Sequence, residues 1–451
     1  MTQTLVSRSA YTGDILEEIR CTPLDQVDAM VADARRALPG WRALSLQERA
    51  DCLKQAIPEL KARAADIAGL ISAEMGKPIS NAMSEANYCH STLAATLDGL
   101  VQSLAPRKIE DAHTETTLYY DPLGVCAAIT PWNFPVSMIQ WMVIPALMAG
   151  NTVVLKASEC TPLAGRAYAQ ALQAVLPENV LQLVEGGKDH GRALVNANVQ
   201  LIAFTGSRRA GQQILADAAP QFKRVILELG GKDPLIVLDD ADIEAAARLA
   251  ATNSFSNCGQ VCVSIERIYV HESVAEKFEQ LLLQNTRKIE VRPGDNASEM
   301  GPMVADFQRR HVLGQIEEAV AEGAEVMHMP DTMPDGYILP TVLRVKDTMR
   351  IMREETFGPV ACVRRFGTDE EAITLANDSI YGLGAVVFGE KGHAMQVARQ
   401  LDAGMIGINK SCHGANGSPW VGAKQSGYGY HGGAEGDHQF AQVRTVSIGK
   451  Q

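Results

Sequence analysis

The sequence predicts an α/β protein made of two sheet-and-helix blocks, and three observations carry that prediction. From about Gly124 onward, short apolar runs alternate with longer helical patterns, and strands separated by helices imply parallel βαβ units. The alternation pauses near Glu228 and then resumes, so two blocks meet there. The chain has 451 residues, enough for two or three domains with substantial cores.

The elements follow in order. Ser45-Leu46-Gln47-Glu48 has the form of a capping box that opens a helix. That helical region runs towards Gly76-Lys77-Pro78, with Pro58 as an interruption. Strands are expected over 125–129, 152–155, 180–184 and 201–204. The longest apolar stretch, about 136–149, is broken by Gln140 and Pro145 and is too short to span a bilayer. It reads as a buried helix. Past Glu228, strands are expected over 235–238, 267–270, 360–363, 385–388 and 405–408. Helices over 243–255, 274–289, 307–322 and 393–401 separate them. The tail from Cys412 is rich in Gly and Ser and ends in a strand-like run, 440–446. That run is expected to pack on a strand over 116–120 or on a neighbouring subunit. There is no internal repeat or low-complexity tract.

Composition excludes several function classes. Apolar residues make up 46% and charged residues 21% of the chain, ordinary values for a globular protein. A formal net charge of −12 with no long basic run argues against nucleic acid, because phosphate contacts demand clustered Lys and Arg. Nine cysteines at irregular spacings make no disulfide framework, which favours a reducing cytoplasm. The first eight residues lack the apolar core of a signal peptide.

Chemistry concentrates in two segments, Asn257-Cys258-Gly259-Gln260-Val261-Cys262 and Glu228-Leu229-Gly230-Gly231-Lys232. Cysteine is the strongest side-chain nucleophile, since even a small thiolate fraction attacks carbonyl carbon. A carboxylate nearby can activate water to release what the sulfur captures. On these segments alone, Cys262 reads equally as a small buried hydrophobe and Glu228 as a helix-end or ion-paired acid. Pro131-Trp132-Asn133-Phe134-Pro135 follows a strand and precedes a helix. Its Asn133 amide suits a developing oxyanion, or the cap of the next helix. A disulfide between Cys258 and Cys262 is conceivable, but the spacing gives no geometry. No Cys/His set has zinc spacing, so no metal is expected.

Taken in order, the segments resemble the NAD(P)-dependent aldehyde dehydrogenase superfamily. The matching runs are Glu74-Met75-Gly76-Lys77-Pro78, the Pro131–Pro135 turn, Lys156-Ala157-Ser158-Glu159 and Phe204-Thr205-Gly206-Ser207. They continue with Glu228–Lys232, Gln260-Val261-Cys262, Glu354-Glu355-Thr356-Phe357-Gly358-Pro359-Val360 and Lys424-Gln425-Ser426-Gly427. The ordered set covers almost the whole chain, and it is far more specific than any one run.

The resemblance implies a Rossmann-type cofactor domain over 1–106 and 125–230, and a catalytic domain over 231–411. A β-strand oligomerisation arm over 107–124 and 412–451 would complete the fold, in a homodimer or homotetramer. Cys262 would attack the aldehyde, and Asn133 with the Cys262 N–H would hold the oxyanion. Hydride would pass to the nicotinamide, and Glu228 would activate water against the resulting thioester. Lys156 is expected among the catalytic residues too, and Lys232 as a neighbour of the network or a surface-paired lysine. The activated thiolate would be prone to oxidation. Because Glu228 is present, release of the free acid is favoured over transfer to coenzyme A. A coenzyme A-dependent semialdehyde dehydrogenase and a succinate-semialdehyde-type enzyme are the alternatives.

The cofactor expected from the resemblance is NAD, with NADP disfavoured because a carboxylate at Glu159 repels a ribose 2′-phosphate. There is no G-x-G-x-x-G; Gly206-Ser207 and Gly211 lie at a strand-to-helix turn that can meet a pyrophosphate. Contacts are expected from Ile129, Thr130, Pro131 and Trp132, then from Lys156, Ser158, Glu159 and Gly187. Further contacts fall to Phe204, Thr205, Gly206 and Ser207, to Glu228, Leu229 and Gly230, and to Glu355 and Phe357. The substrate tunnel is expected to involve Phe134, Trp141, Val261, Val263 and His413. Succinate-semialdehyde relatives commonly place an arginine on the helix after the Pro131–Pro135 turn, where this chain has Trp141. An uncharged or modestly polar aldehyde is therefore expected. Two departures stand out: Ala157 where many relatives carry proline, and Trp420-Val421-Gly422-Ala423 where many carry a second glycine.

Overall fold

The computed structural model describes residues 3–330 and 333–450. Its first large sheet has six strands among these residues. Val125–Ile129 lies between Thr152–Lys156 and Leu201–Thr205, with Leu181–Leu183 outside one and Arg224–Glu228 outside the other, all parallel. Every residue of the three central strands is buried. That is why their sequences read as continuous apolar runs, as strands covered on both faces do. Chain order reverses beside Val125–Ile129, so a crevice opens beyond the carboxyl ends of that strand and Leu201–Thr205.

The second large sheet has seven strands. Asp233–Val237 sits between Ile265–His271 and Gly384–Phe388, with Met405–Ile408, Val360–Phe366 and Thr341–Arg344 continuing the parallel set. Glu325–His328 closes one edge antiparallel. Glu228 is the last residue of one sheet and Asp233 the first of the next. Leu229–Lys232 carries the chain from the first sheet to the second at Glu228, and residues 409–426 carry it back to Gly427–Tyr428 at the edge of the first.

Local signals explain the helices. Ser45 Oγ accepts from the Glu48 N–H at 3.2 Å while Glu48 Oε2 accepts from the Ser45 N–H at 2.7 Å. The region that follows is broken into Leu46–Lys54, Ile57–Ala62 and Ala64–Met75, with Pro58 in the first turn of the second. Gly76 ends the third at φ 80°. Ser137–Met148 is buried on nearly every side. Its polar Gln140 is satisfied by the Tyr168 hydroxyl at 2.7 Å and by Thr92 Oγ1 at 3.3 Å. No described helix is long and apolar enough to cross a membrane.

A smaller sheet of three strands stands apart: Arg107–Glu110, Thr114–Pro122 and Ala441–Gly449. The tail strand pairs Val443 with Tyr120 and Val446 with Thr117, the partner its pattern predicted. The span from 412 onward is not all arm, however. Trp420–Val421 pairs with Tyr430–His431, and Gly427–Tyr428 adds antiparallel to Arg224–Glu228. This stretch is drawn back over Glu228 because the first sheet leaves the edge of Arg224–Glu228 open to pairing.

Candidate active site

The cysteine loop is held in an uncommon backbone shape. After helix Ile243–Phe255, Asn257, Cys258 and Gly259 take φ values of 54°, 58° and 68°. Left-handed non-glycine residues cost about 1–3 kcal/mol each and persist where their surroundings fix them. Here Asn257 Nδ2 donates to the carbonyls of Asn133 and Gln260 at 3.3 and 3.2 Å. The Gln260 side chain donates to Asn257 O at 3.0 Å and accepts from the Val304 N–H at 3.0 Å. Gly259 is required, since a Cβ there would lie 2.0 Å from the Gly358 carbonyl oxygen. The turn sends the Cys258 thiol into the second core, where it donates to Met303 Sδ at 3.4 Å. Cys262 faces the cleft instead. The pairing of Cys258 with Cys262 considered from the sequence is therefore not what this loop sets up.

Glu228 ends its strand beside Cys262, buried, with its Oε1 accepting from the Trp420 indole N–H at 3.1 Å. Burial pushes its carboxyl up to about 7, with Trp420 and the Cys262 thiol pulling the other way. The Cys262 thiol lies well above its ordinary range, first through burial and then through the facing Glu228 carboxylate. The buried Asp233 and Cys412 face the sulfur too. Burial and the facing carboxylate thus favour the protonated sulfur, with Glu228 as the neighbouring proton acceptor.

Two buried ion pairs fix the segments around this centre. Lys77 Nζ donates to Glu85 Oε2 at 2.6 Å and to the Asn133 carbonyl at 2.9 Å, and lies 3.9 Å from the Phe134 ring centre. Glu85 Oε1 in turn accepts from the N–H groups of Val136 and Ser137 at 3.0 and 3.1 Å, pinning the start of the next helix. Asn133 is left with its amide near the cysteine loop, donating one hydrogen to the Gln260 carbonyl at 3.2 Å. Lys232 is fully buried, not surface-paired. Its ammonium meets Glu266 Oε2 at 2.5 Å and Thr356 Oγ1 at 2.9 Å. Glu266 also accepts from the N–H groups of Thr356 and Phe357, each at 2.8 Å.

Cys262, Glu228, Asn133, Asn257, Lys77 and Glu85 border one cleft of about 1920 Å³. At one end its walls are the carboxyl ends of Val125–Ile129 and Leu201–Thr205, where the buried hydroxyls of Thr130 and Thr205 have no partner. Pro131, Phe204, Gly206 and Leu229 join them. Lys156 is buried, and its ammonium is bound to Glu159, next to Ser158. Burial pushes the Glu159 carboxyl up, but Lys156 more than offsets it, and the net shift is downward. Ser207 caps helix Arg208–Ala218 through the Ala210 N–H at 3.3 Å. Trp132 and Phe357 meet edge to face at 5.3 Å. Glu355 accepts from the Gly231 N–H at 3.1 Å, so close to Gly230 that a Cβ there would lie 2.0 Å from its carboxylate. Orphan hydroxyls at a switch point, a helix N-terminus and a carboxylate–ammonium pair at the strand end suit a dinucleotide. Gly187 is the exception among the expected contacts. It precedes helix Lys188–Asn196, whose Lys188, Gly191 and Arg192 reach the cleft in its stead.

The other end is aromatic. Trp141 donates its indole N–H to the Tyr88 hydroxyl at 3.1 Å and lies 5.7 Å from Trp420 and 5.4 Å from His431. His413 meets Trp420 edge on at 5.4 Å. Phe134, Val261 and Val263 line the way to Cys262. His431 is buried and its pKa falls to about 4, while burial also lowers that of His413. Neither adds positive charge at neutral pH. Sequence reasoning missed Trp420, His431, Tyr88, Lys77 and Glu85 as site residues. Trp420 carried a signal as a departure next to the tunnel, and Lys77 lay inside the Glu74–Pro78 run.

The aldehyde dehydrogenase family model matches residues 2–446. A mitochondrial succinate-semialdehyde dehydrogenase of Arabidopsis thaliana is 35% identical over 99% of this chain and 86% of its own length. A chloroplastic aminoaldehyde dehydrogenase of the same plant is 35% identical over 97% of this chain and 91% of its own. The crystal structure of PnpE from Pseudomonas sp. WBC-3 in complex with nicotinamide adenine dinucleotide superposes with a TM-score of 0.93 at 34% identity. It covers 99% of this chain and 94% of that one. The chain belongs to the aldehyde dehydrogenase family, whose members are oxidoreductases that use NAD or NADP.

Proposed function

We propose that the protein oxidises an uncharged, preferentially aromatic or apolar aldehyde to the free carboxylic acid, using NAD. The observation that carries this reading is the hydrogen-bonded pair of Cys262 and Glu228 beside the Asn133 amide on one cleft. Glu228 first accepts the thiol proton, and the sulfur adds to the carbonyl carbon. The second amide hydrogen of Asn133 and the Cys262 N–H hold the new oxyanion; such a donor is worth about 3–4 kcal/mol of barrier. NAD, when bound, would supply the hydride acceptor, and Cys262 would then carry the acyl group as a thioester. Glu228, having shed its proton to solvent, takes one from water, and the hydroxide displaces the sulfur as thiolate. Water can serve as acceptor because a carboxyl with a pKa of about 7 is half ionised at neutral pH.

Lys156 and Glu159 belong to the cofactor end in this reading, since their charges are spent on each other. The ionised Glu159 supports NAD over NADP. The neutral aromatic mouth supports the substrate class: a distal carboxylate would find no free cation among Tyr88, Trp141, His413, Trp420 and His431. The exposed Val443, Val446 and Ile448 on the tail strand support an arm that pairs subunits into a homodimer or homotetramer.

The test is NADH absorbance with purified protein, a panel of aldehydes and no added coenzyme A. Turnover without coenzyme A is expected, fastest with aryl aldehydes. NADH formed only after coenzyme A is added would replace this reading with the acylating one. Highest activity on succinic semialdehyde would overturn the substrate class alone. Glu228→Gln should slow the NADH burst, because the thiol loses its proton acceptor, and should then stall at the thioester.

A further inference from the structure

The tail hairpin brings one side chain into contact with both ends of the chemistry. The Trp420 indole N–H lies 3.1 Å from Glu228 Oε1. The same ring packs against Trp141 and His413 at the aldehyde end of the cleft. Its backbone is fixed by pairing with His431, whose ring stacks on it at 6.4 Å and 17°. Indole is only a donor, so an acceptor must face it, and the acceptor here is a buried carboxylate.

Acylation changes who holds that carboxylate. In the resting site Glu228 receives a hydrogen bond from the Cys262 thiol as well as from Trp420. Once the sulfur carries an acyl group it has no hydrogen to give. The Trp420 N–H then remains on the carboxylate at the step in which water must be deprotonated. Building on the assignment of Glu228 as the base, we propose that Trp420 is a positioning residue for deacylation. Its N–H aims the Glu228 carboxylate at the water while its ring walls the aldehyde. The side chain that senses the substrate therefore also sets the base.

The pH response of Glu228 depends on few neighbours. Cys262 and Glu355 are the titratable groups that face it, and Asp233 and Cys412 face the sulfur. His431 behind the indole is neutral above about pH 4. A hydrogen bond donated to a carboxylate favours the ionised form, so removing it moves the ionisation of Glu228 to higher pH.

Trp420→Phe keeps the ring and deletes the donor; Trp420→Ala deletes both. For each variant the NADH burst, counted per active site, gives the competent sulfur. The decay of the Cys262 thioester is then followed by rapid-quench mass spectrometry between pH 5.5 and 9. For Trp420→Phe we expect an undiminished burst whose rate half-saturates at nearly the wild-type aldehyde concentration. Deacylation should fall about tenfold or more, the factor for losing a hydrogen bond to a charged acceptor, with its acid limb displaced upward. Trp420→Ala should also raise that half-saturating concentration. Wild-type deacylation with an unshifted profile in Trp420→Phe overturns the inference, provided Glu228→Gln still stalls. If Glu228→Gln also turns over normally, the base assignment itself has failed. Should the Phe variant lose its burst, Trp420→His, which restores an N–H on a smaller ring, decides. Recovery of burst without recovery of deacylation counts against the inference.

Discussion

The two ends of the cleft are built on different principles. Around Cys262, several buried polar groups are tied in pairs: Lys77 to Glu85, Lys232 to Glu266, Asn257 to Asn133 and Gln260. Around Trp141 and Trp420, rings meet at 5.4–5.7 Å with few obligatory partners. A hydrogen-bonded ion pair fixes an atom's position, because a misplaced partner leaves a desolvated charge. Aromatic edges tolerate small shifts for fractions of a kcal/mol. The reacting end should therefore fail abruptly on substitution, and the mouth should only change its preference.

The largest effect expected is at the sulfur. Cys262→Ser should cut kcat by about 10⁴-fold or more, because a serine hydroxyl lacks the low-lying anion that attacks carbonyl carbon. NAD affinity, read by fluorescence titration, should stay within about threefold of wild type, since no cofactor contact is removed. Preserved turnover would contradict the nucleophile assignment outright. Next comes a positioning pair. Lys232→Met strands the Glu266 carboxylate, which is 2% exposed, and should cost about 3–5 kcal/mol of stability in urea unfolding. The double variant Lys232→Met/Glu266→Leu should recover much of that. Equal loss in both would mean the pair contributes packing and little charge. Asn133→Ala follows, with kcat lower by about 10²–10³-fold and KM little changed.

Much of this was legible in the chain, for reasons that differ by residue. Strands such as Val125–Ile129 are visible because burial on both faces forces an unbroken apolar run. Helix Ile243–Phe255 is visible because Asp242 caps it through the Ala245 N–H. Arg224–Glu228 escaped notice although it carries the base. Its apolar run is three residues long and charged residues bound it. Lys77 sat inside a recognised segment, but its partner lies eight positions away and the carbonyl it holds 56 away. No local pattern encodes that meeting. Trp420 shows the same limit at the mouth: it reads as a missing glycine, and only the pairing of Gly427–Tyr428 with Arg224–Glu228 brings its segment to Glu228.

A milder prediction separates the ends by pH. Deacylation needs Glu228 as a carboxylate, and burial holds its pKa up at about 7. Below that value the rate should fall about tenfold per pH unit, and above about pH 8 it should level off. Hydride-transfer bursts and deacylation rates measured across pH 5–9 check this. A deacylation midpoint near the ordinary glutamate value would mean that solvent reaches the carboxylate once the aldehyde is bound. The mouth, with both histidines shifted downward, should leave KM for an uncharged aldehyde flat from pH 7 to 9.

The smallest effect expected is at Trp141, and it is the one that probes the mouth alone. Trp141→Leu keeps an apolar wall but removes the ring that packs on Trp420 and His431 and the N–H that meets Tyr88. Aromatic pairing beyond simple burial is worth about 0.5–1.5 kcal/mol, so KM for benzaldehyde should rise about threefold to tenfold relative to that for butanal. Turnover at saturation should hold, because Trp141 does not touch Glu228 or Cys262. A fall in kcat of the size expected for Asn133→Ala would erase the distinction between the two ends. It would mean that the aromatic cluster, acting through Trp420, fixes the reacting groups as firmly as the buried ion pairs do.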